Sequence, residues 1–452
     1  MSKEIRFNAF VMNCVGHMAP GLWRHPRDRS DRYVDLEHWT DLARLLERGY
    51  FDGVFLADVL GPYDVYQGRP DAAIYSGIQI PVNDPMMLVP AMAGVTEHLG
   101  FGVTCALTYE HPYSFARRAS TLDHLTKGRF GWNIVSGYLN SAARNFGFEA
   151  QTEHDDRYEL AEEYLEVCYK LWEQSWQTGA VRRDRKSGVF ADPAKVHGIN
   201  HLGTHFKVPG FNLSEPSPQR TPVLYQAGAS RRGKKFAAKH AECVFVSAPT
   251  AEIVKRYVQD LRLQAAELGR ESILIFSMFT VIVAPTETEA KDRVREYLSY
   301  VDHLGALVLM SGWTGVDLSA YGLDEELQAT QTRANQSALE SFTVADPGRR
   351  WKIREIAEFV GLGGRAPVVS GSPQIVADRL QEWVETTGVD GFNLTYAVMP
   401  ETYEHIIELL VPELQKRGVY KKAYRPGTFR EKLFGQGSFL PQSHPGSGYR
   451  RE

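Results

Sequence analysis

Short apolar runs, none of which alternates apolar with polar residues, recur along this chain between longer stretches of helical periodicity. They fall at 5–12, 51–58, 100–108, 129–136, 222–228, 243–248, 273–284 and 391–396. Each reads as a strand buried on both faces, the signature of a parallel sheet covered by helices. Helical patterns at 36–48, 86–98, 115–126, 157–173, 251–268, 287–300, 372–386 and 401–417 supply the cover. Such a succession predicts an α/β fold, a (β/α)8 TIM barrel forming a single domain over 1–452.

A barrel of this kind needs about 250 residues, and this chain has 452. The surplus is expected in insertions at 61–82, 177–220 and 285–369, and in an extended, Gly- and Pro-rich C-terminal arm at 418–452 suited to packing on a partner subunit. The insertion at 285–369, between the seventh and eighth strands, is the natural lid. With 51 basic and 55 acidic residues the net charge is −4, which argues against a broadly cationic nucleic-acid binder. Cys14, Cys105, Cys168 and Cys243 form no CxxC pair, so neither a disulfide framework nor a zinc knuckle is expected. The most apolar run, 273–284, falls short of the ~20 residues that span a bilayer. The N-terminus has no signal-peptide pattern. A soluble, cytoplasmic protein without nucleic-acid or membrane partners is the expectation.

Chemistry in a barrel gathers where strands end and βα loops begin. The first strand ends in Met12-Asn13-Cys14-Val15-Gly16-His17, which brings a thiol and an imidazole to one end of the barrel. Either they line a pocket, or Cys14 packs as a small hydrophobe. The second strand ends at Asp58, a carboxylate that could accept a ligand N–H, act as a base or cap the next segment. Tyr63, Tyr66 and Gln79 follow in the first insertion as wall candidates. Thr104 and Ser136 put small hydroxyls on the third and fourth strand ends. The fifth yields Gln226-Ala227-Gly228-Ala229-Ser230 before a helical pattern, an anion cradle or a plain N-cap. His154-Asp155-Asp156-Arg157-Tyr158 opens another helix. Gly361-Leu362-Gly363-Gly364 is not a dinucleotide fingerprint, and His201 and His205, set among turn residues, read as surface residues rather than metal ligands. No metal site is expected.

Six motifs together carry a resemblance over almost the whole chain. They are Leu122-Asp123-His124-Leu125-Thr126-Lys127-Gly128-Arg129, Trp132-Asn133-Ile134-Val135, Asn145-Phe146-Gly147, His154-Asp155-Asp156-Arg157-Tyr158, Gln226-Ala227-Gly228 and Asp390-Gly391-Phe392. With them the chain resembles the bacterial luciferase-like flavin-dependent monooxygenases, in the nitrilotriacetate and dibenzothiophene-sulfone branch. Met12-Asn13-Cys14-Val15-Gly16-His17, Thr108-Tyr109-Glu110-His111-Pro112-Tyr113 and Arg430-Glu431-Lys432-Leu433-Phe434-Gly435 resemble members acting on long-chain alkanes. Tyr138-Leu139-Asn140-Ser141-Ala142-Ala143 and Gly312-Trp313-Thr314-Gly315 resemble members acting on dimethyl sulfide. Tyr138 stands where the alkane-type members carry histidine.

The resemblance implies an FMN enzyme, with FMNH2 supplied by a separate NAD(P)H-dependent flavin reductase and O2 as co-substrate. One oxygen atom would enter a small or apolar substrate through a flavin C4a-(hydro)peroxide. Long-chain alkane hydroxylation is slightly ahead, with sulfide or sulfone oxygenation as alternative. By the same resemblance Asp58, Thr104, Ser136, His154, Tyr158, Ala227, Gly228 and Ser230 match flavin positions, Tyr158 and Ser230 serving the phosphate. Cys14, His17, Tyr63, Gln79 and Tyr138 match pocket positions: His17 as the hydrogen-bonding or proton-transfer group, Tyr138 as a donor, Cys14 at the flavin face, Tyr63 and Gln79 at the substrate end. A homodimer or homotetramer is implied as well. The competing readings are F420-dependent hydride transfer, a hydrolase using Asp58, Glu110 or Cys14 with His17, and a barrel that stores flavin.

Overall fold

Parallel strands close on themselves in the computed structural model, which describes residues 3–228, 230–270, 272–332, 334–346 and 348–451, with His154 described in its backbone only. The barrel strands are β1 (Arg6–Met12), β2 (Gly53–Ala57), β3 (Gly100–Ala106), β4 (Phe130–Val135), β5 (Val223–Gln226), β6 (Cys243–Val246), β7 (Leu274–Val283) and β8 (Gly391–Thr395). One lies inside each of the eight expected runs. Neighbours run β6-β5-β4-β3-β2-β1-β8-β7, and pairing of β6 with β7 closes the ring. Registers such as Asn8↔Gly53 and Phe276↔Gly391 are parallel throughout. All residues of β5, β6 and β8 are buried, as strands between a filled interior and a helical coat must be.

Outside the ring, α1 (His154–Tyr169) and α2 (Arg231–His240) flank β5. The 177–220 insertion holds two hairpins, Val181–Asp184 with Val189–Ala191 and His201–Leu202 with Lys207–Val208. His201 is not a surface residue: it is buried against α1, its Nε2 3.1 Å from Glu163 and its Nδ1 3.1 Å from Lys170. The hairpin turns that side chain inward, and only His205 stays exposed. Among the described residues no group of His, Cys, Asp and Glu could hold a metal ion. Nor is any helix there long and apolar enough to cross a membrane.

The excursion between β7 and β8 is a structured layer. It carries α3 (His303–Thr314), α4 (Ile353–Gly363) and a short strand, Val368–Gly371, paired with Thr280–Val283 of β7. Helix α3 is apolar on every face and buried from Gly305 to Thr314, so it needs cover all round. The first insertion provides part of it. Tyr63, Ala73 and Ile78 join Met310, Trp313 and Ile356 in a second apolar core, separate from the main one. Tyr63 crosses α3 at Gly312, where even a methyl group would collide with the ring.

The tail, expected as an extended arm, lies along its own barrel. Phe429 packs with Phe55, Tyr225, Phe245 and Phe276, and a Cβ at Gly53 would meet its ring at 3.2 Å. Gly53 and Gly100 begin β2 and β3, so Phe429 plugs the N-terminal mouth of the barrel. Farther on, His444 Nε2 donates to the His240 carbonyl (2.8 Å) and Arg450 pairs with Glu173 (2.8 Å).

Candidate active site

The opposite, C-terminal mouth holds two clefts that share Val135, Gly137 and Tyr138 in their walls. The smaller, about 470 Å3, is apolar along Val59, Leu60, Ala106, Leu139 and Ala142, with Asp58 and Thr104 as polar points. The larger, about 950 Å3, contains Ser136, Tyr158, Ala227, Gly228 and Ser230. Seven of the flavin positions expected from the sequence therefore line these two adjoining clefts, together with Tyr138. The His154 side chain lies outside the described residues.

At the larger cleft, Ser230 caps α2 by accepting from the Gly233 N–H at 3.0 Å. Gly228 is clamped from both sides: its N–H donates to Gln226 (3.0 Å), and its carbonyl accepts from the Tyr257 hydroxyl (2.6 Å). A Cβ on Gly233 would meet the Tyr158 hydroxyl at 2.7 Å and the Ser230 hydroxyl at 2.9 Å. The glycine thus leaves two hydroxyls converging on the positive end of a ten-residue helix. Burial raises the Tyr158 pKa, opposed by Ser230 and Arg157, so the phenol stays protonated and can donate. Donors of this kind suit a phosphate monoester.

Behind the shared wall runs a hydrogen-bond relay. Gln79 Nε2 donates to the His17 carbonyl (2.9 Å), which turns its Oε1 toward Tyr63. Tyr63 donates to that oxygen (2.9 Å), and its own oxygen lies 2.7 Å from the Tyr138 hydroxyl. With the Tyr63 proton committed to Gln79, the Tyr138 proton goes to Tyr63. Tyr138 thus stands in the wall of both clefts with its hydroxyl tied to Tyr63. Gln79 holds its place with a φ of 49°, a left-handed backbone uncommon for a non-glycine residue.

Cys14, His17, Tyr63 and Gln79 are not in the walls of either cleft. The Cys14 thiol donates to the Gly16 carbonyl (3.4 Å), and burial pushes its pKa well up. A thiol so held is neither a thiolate nor paired with His17, which removes the cysteine hydrolase reading. Glu110, the alternative hydrolytic carboxylate, is committed to Arg118 and to the Cys105 thiol. His17 is 2% exposed, set edge-on to Phe10 with ring centroids 4.5 Å apart. Burial pulls its pKa down to about 3, with the Phe10 carbonyl opposing. The imidazole is therefore neutral at ordinary pH. Neither ring nitrogen completes a well-formed hydrogen bond, the Phe10 carbonyl being the one acceptor that acts on the ring.

Asp58 is the other perturbed group. Burial first, then the charge of Asp84, raises its pKa to about 7, against the Val59 N–H. Close by, Asn133 Nδ2 donates to Thr104 (2.9 Å), while its Oδ1 is buried without a partner. The orphaned acceptor at Asn133, a carboxyl able to accept, and a helix-end cradle together fit a flavin mononucleotide, whose ring bears N–H groups and whose tail bears a phosphate.

Sequence reasoning missed Arg365. It follows α4 in the excursion and lines the larger cleft with Tyr138. Its guanidinium carbon sits 5.2 Å from the centre of the Trp313 ring. The signal was the glycine run before it, read only as a failed dinucleotide motif. A Cβ on Gly363 would meet Val368 at 2.7 Å, and one on Gly364, at φ 62°, would meet Met18 at 2.9 Å. These glycines let the backbone come close enough to aim the next side chain into the cleft.

Comparison with known proteins bears on the family and the fold. The sequence model of the luciferase-like monooxygenase family matches residues 15–391. Dimethyl-sulfide monooxygenase of Hyphomicrobium sulfonivorans is 52% identical over 453 aligned positions, covering 100% of this chain and 94% of that protein. Long-chain alkane monooxygenase of Geobacillus thermodenitrificans is 51% identical, covering 100% and 99%. A crystal structure of riboflavin lyase with modified FMN and riboflavin is 36% identical with a TM-score of 0.93, covering 100% of both chains.

Proposed function

The chain belongs to the luciferase-like monooxygenases and is a flavin-dependent monooxygenase, and on that premise we propose that it is the oxygenating component of a two-component system that uses FMNH2. A separate NAD(P)H-dependent reductase delivers the reduced flavin, and the barrel acts as a homodimer or homotetramer. The observation that carries the reading is the cradle of Tyr158, Gly228 and Ser230, which opens into the same cleft as Tyr138. When bound in reduced form, FMN supplies the two electrons that let one atom of O2 enter the substrate while the other leaves as water.

Tyr158 and Ser230 hold the phosphate at the start of α2. Asp58 accepts from a ring N–H, with Thr104, Ser136, His154 and Ala227 completing the cofactor wall. Tyr63 and Gln79 fix the Tyr138 oxygen by the relay described above. Neutral His17, buried behind these walls, is the group that the resemblance assigns a hydrogen bond or proton at the reacting end, and Cys14 packs beside it. The apolar lining at Val59, Leu60, Leu139 and Ala142 excludes water and receives the substrate body. The 285–369 excursion is the lid over it.

The relatives named for dimethyl sulfide and long-chain alkanes point to a small or apolar organic substrate, an alkane or an organic sulfide. Full-length identity to monooxygenases leaves F420-dependent transfer and flavin storage without support. The test is rapid mixing of the anaerobic protein–FMNH2 complex with oxygenated buffer, followed by absorbance. A transient distinct from oxidised FMN, decaying faster with dimethyl sulfide or hexadecane and yielding oxygenated product, is expected. Direct reoxidation at the rate of free flavin overturns the reading. For His17→Ala, product per FMNH2 is expected to fall about tenfold or more, with flavin binding intact. An unchanged yield removes His17 from the reaction.

A further inference from the structure

Arg365 is a cation in a protein wall with no carboxylate beside it. Among the described residues none forms an ion pair with it; the groups that act on its charge are the phenols of Tyr138 and Tyr63. Trp313 supplies a ring face at 5.2 Å, which steadies a guanidinium without neutralising it. Burying a charge without a counter-charge is costly. This one lines an open cleft, so a ligand can bring the missing charge.

The position is built. Gly363 and Gly364 bring the backbone within van der Waals limits of Val368 and Met18, and α3 holds Trp313 behind the guanidinium. The excursion, rather than the barrel, thus carries the charge into the larger cleft beside Tyr138, the residue that also lines the smaller, apolar cleft. The phosphate of the cofactor has its own donors at Tyr158, Ser230 and the start of α2, on the β5 side.

We infer that Arg365 is a specificity-determining residue that anchors an anionic oxygen group, a carboxylate or a sulfonate, at one end of an otherwise apolar substrate. This deepens the proposed function and rests on it. The flat fork of arginine matches such groups with paired hydrogen bonds. A neutral alkane or simple sulfide would leave the cation uncompensated. Within the alkane and sulfide classes proposed above, the favoured substrates are then those ending in an acid group, an ω-substituted alkanoate or a thioether acid, with the apolar body reaching past Tyr138 to Leu139 and Ala142.

The test is calorimetric binding to the protein saturated with oxidised FMN. The probes are hexanoate, hexanesulfonate and the neutral hexyl methyl sulfone. Both anions are expected to bind about tenfold more tightly than the sulfone, or better, the worth of one charge-assisted hydrogen bond, and to weaken with added KCl. Arg365→Met should erase the difference and leave the sulfone unchanged, and Arg365→Lys should restore part of it. Thermal melts of both variants verify folding, and the salt dependence of the native protein stands independently of them. Equal affinity for anion and sulfone, failure of both anions to bind at millimolar concentration, or a preference surviving in Arg365→Met overturns the inference. So does a loss in Arg365→Met of affinity for FMN but not for riboflavin, which would assign the charge to the cofactor phosphate. Failure to bind FMN at all would instead count against the proposed function, and probe binding without flavin then still tests the cleft.

Discussion

Arg430→Met is expected to destabilise the fold by about 3–5 kcal/mol, the cost of stranding one member of a buried ion pair. Arg430 is 1% exposed at the plugged mouth of the barrel. Its Nε and Nη2 meet the two Glu242 oxygens at 2.6 and 2.8 Å, and further donors satisfy the carbonyls of Thr221, Pro222 and Ser438. Burial works against the charge, and Glu242 more than offsets it, so the guanidinium pKa stays high. Methionine fills the volume but leaves the carboxylate with only the Leu224 N–H and no counter-charge, and takes one donor from each of three carbonyls. The urea midpoint should fall markedly, and proteolysis should begin in the tail beyond Gly418. Arg430→Met with Glu242→Gln should cost less than the sum of the single changes, because the neutral amide no longer strands a charge. FMN affinity under native conditions should not move, since the cofactor cleft is at the other mouth. An unchanged midpoint in Arg430→Met would show that the tail is not part of the cooperative fold.

That tail also shows where sequence reading stops. Its glycines and prolines announce an irregular path, but Phe429 finds its socket only because Gly53 and Gly100, over three hundred residues earlier, lack side chains. The barrel strands were legible because burial on both faces writes an unbroken apolar run into each. Helix α3 was not: its sequence, HLGALVLMSGWT, is apolar on every side and has no periodicity to betray a face. The helix expected at 86–98 is shorter, a 3-10 turn at Pro85–Leu88 and a helix at Val89–Gly94. It ends at Gly94, a poor helix former.

The site divides the same way. Asp58, Thr104, Ser136 and Gly228 stand at or near strand ends, where the fold itself marks them. Tyr63 and Gln79 lie on the first insertion and Tyr138 on the loop after β4, and their relay needs contacts across 16 and 75 residues of sequence. Family resemblance named those residues, yet it did not reveal that the Tyr138 hydroxyl is hydrogen-bonded to Tyr63. Arg365 escaped both routes, because a lone arginine after a glycine run means nothing until its lack of a counter-ion is visible.

Asp58→Asn should separate the stability of this site from its use. The folded carboxyl titrates at about 7, against about 4 in the unfolded chain. Below pH 4 both states hold the proton and the site costs nothing. As pH rises the unfolded chain ionises first, so stability drains away through pH 4–7 and the full penalty stands above it. The asparagine variant carries no such penalty. It should match the native protein at pH 4 and exceed it at pH 8 by on the order of 1–3 kcal/mol, less than the full shift implies because the group is partly solvated. Flavin binding should move the opposite way. Only the ionised carboxylate accepts fully from a ring N–H, so native FMN affinity should climb through pH 6–8, while Asp58→Asn binds about tenfold more weakly at pH 8 and shows no climb. Asp84→Asn removes the repelling charge and keeps a side-chain oxygen for the Met86 N–H, which Asp84 now accepts at 2.8 Å. It should therefore shift the climb to lower pH. Fluorescence titration of FMN from pH 5.5 to 8.5 with the three proteins reads all of this, and a native profile as flat as that of Asp58→Asn would remove Asp58 from the cofactor site.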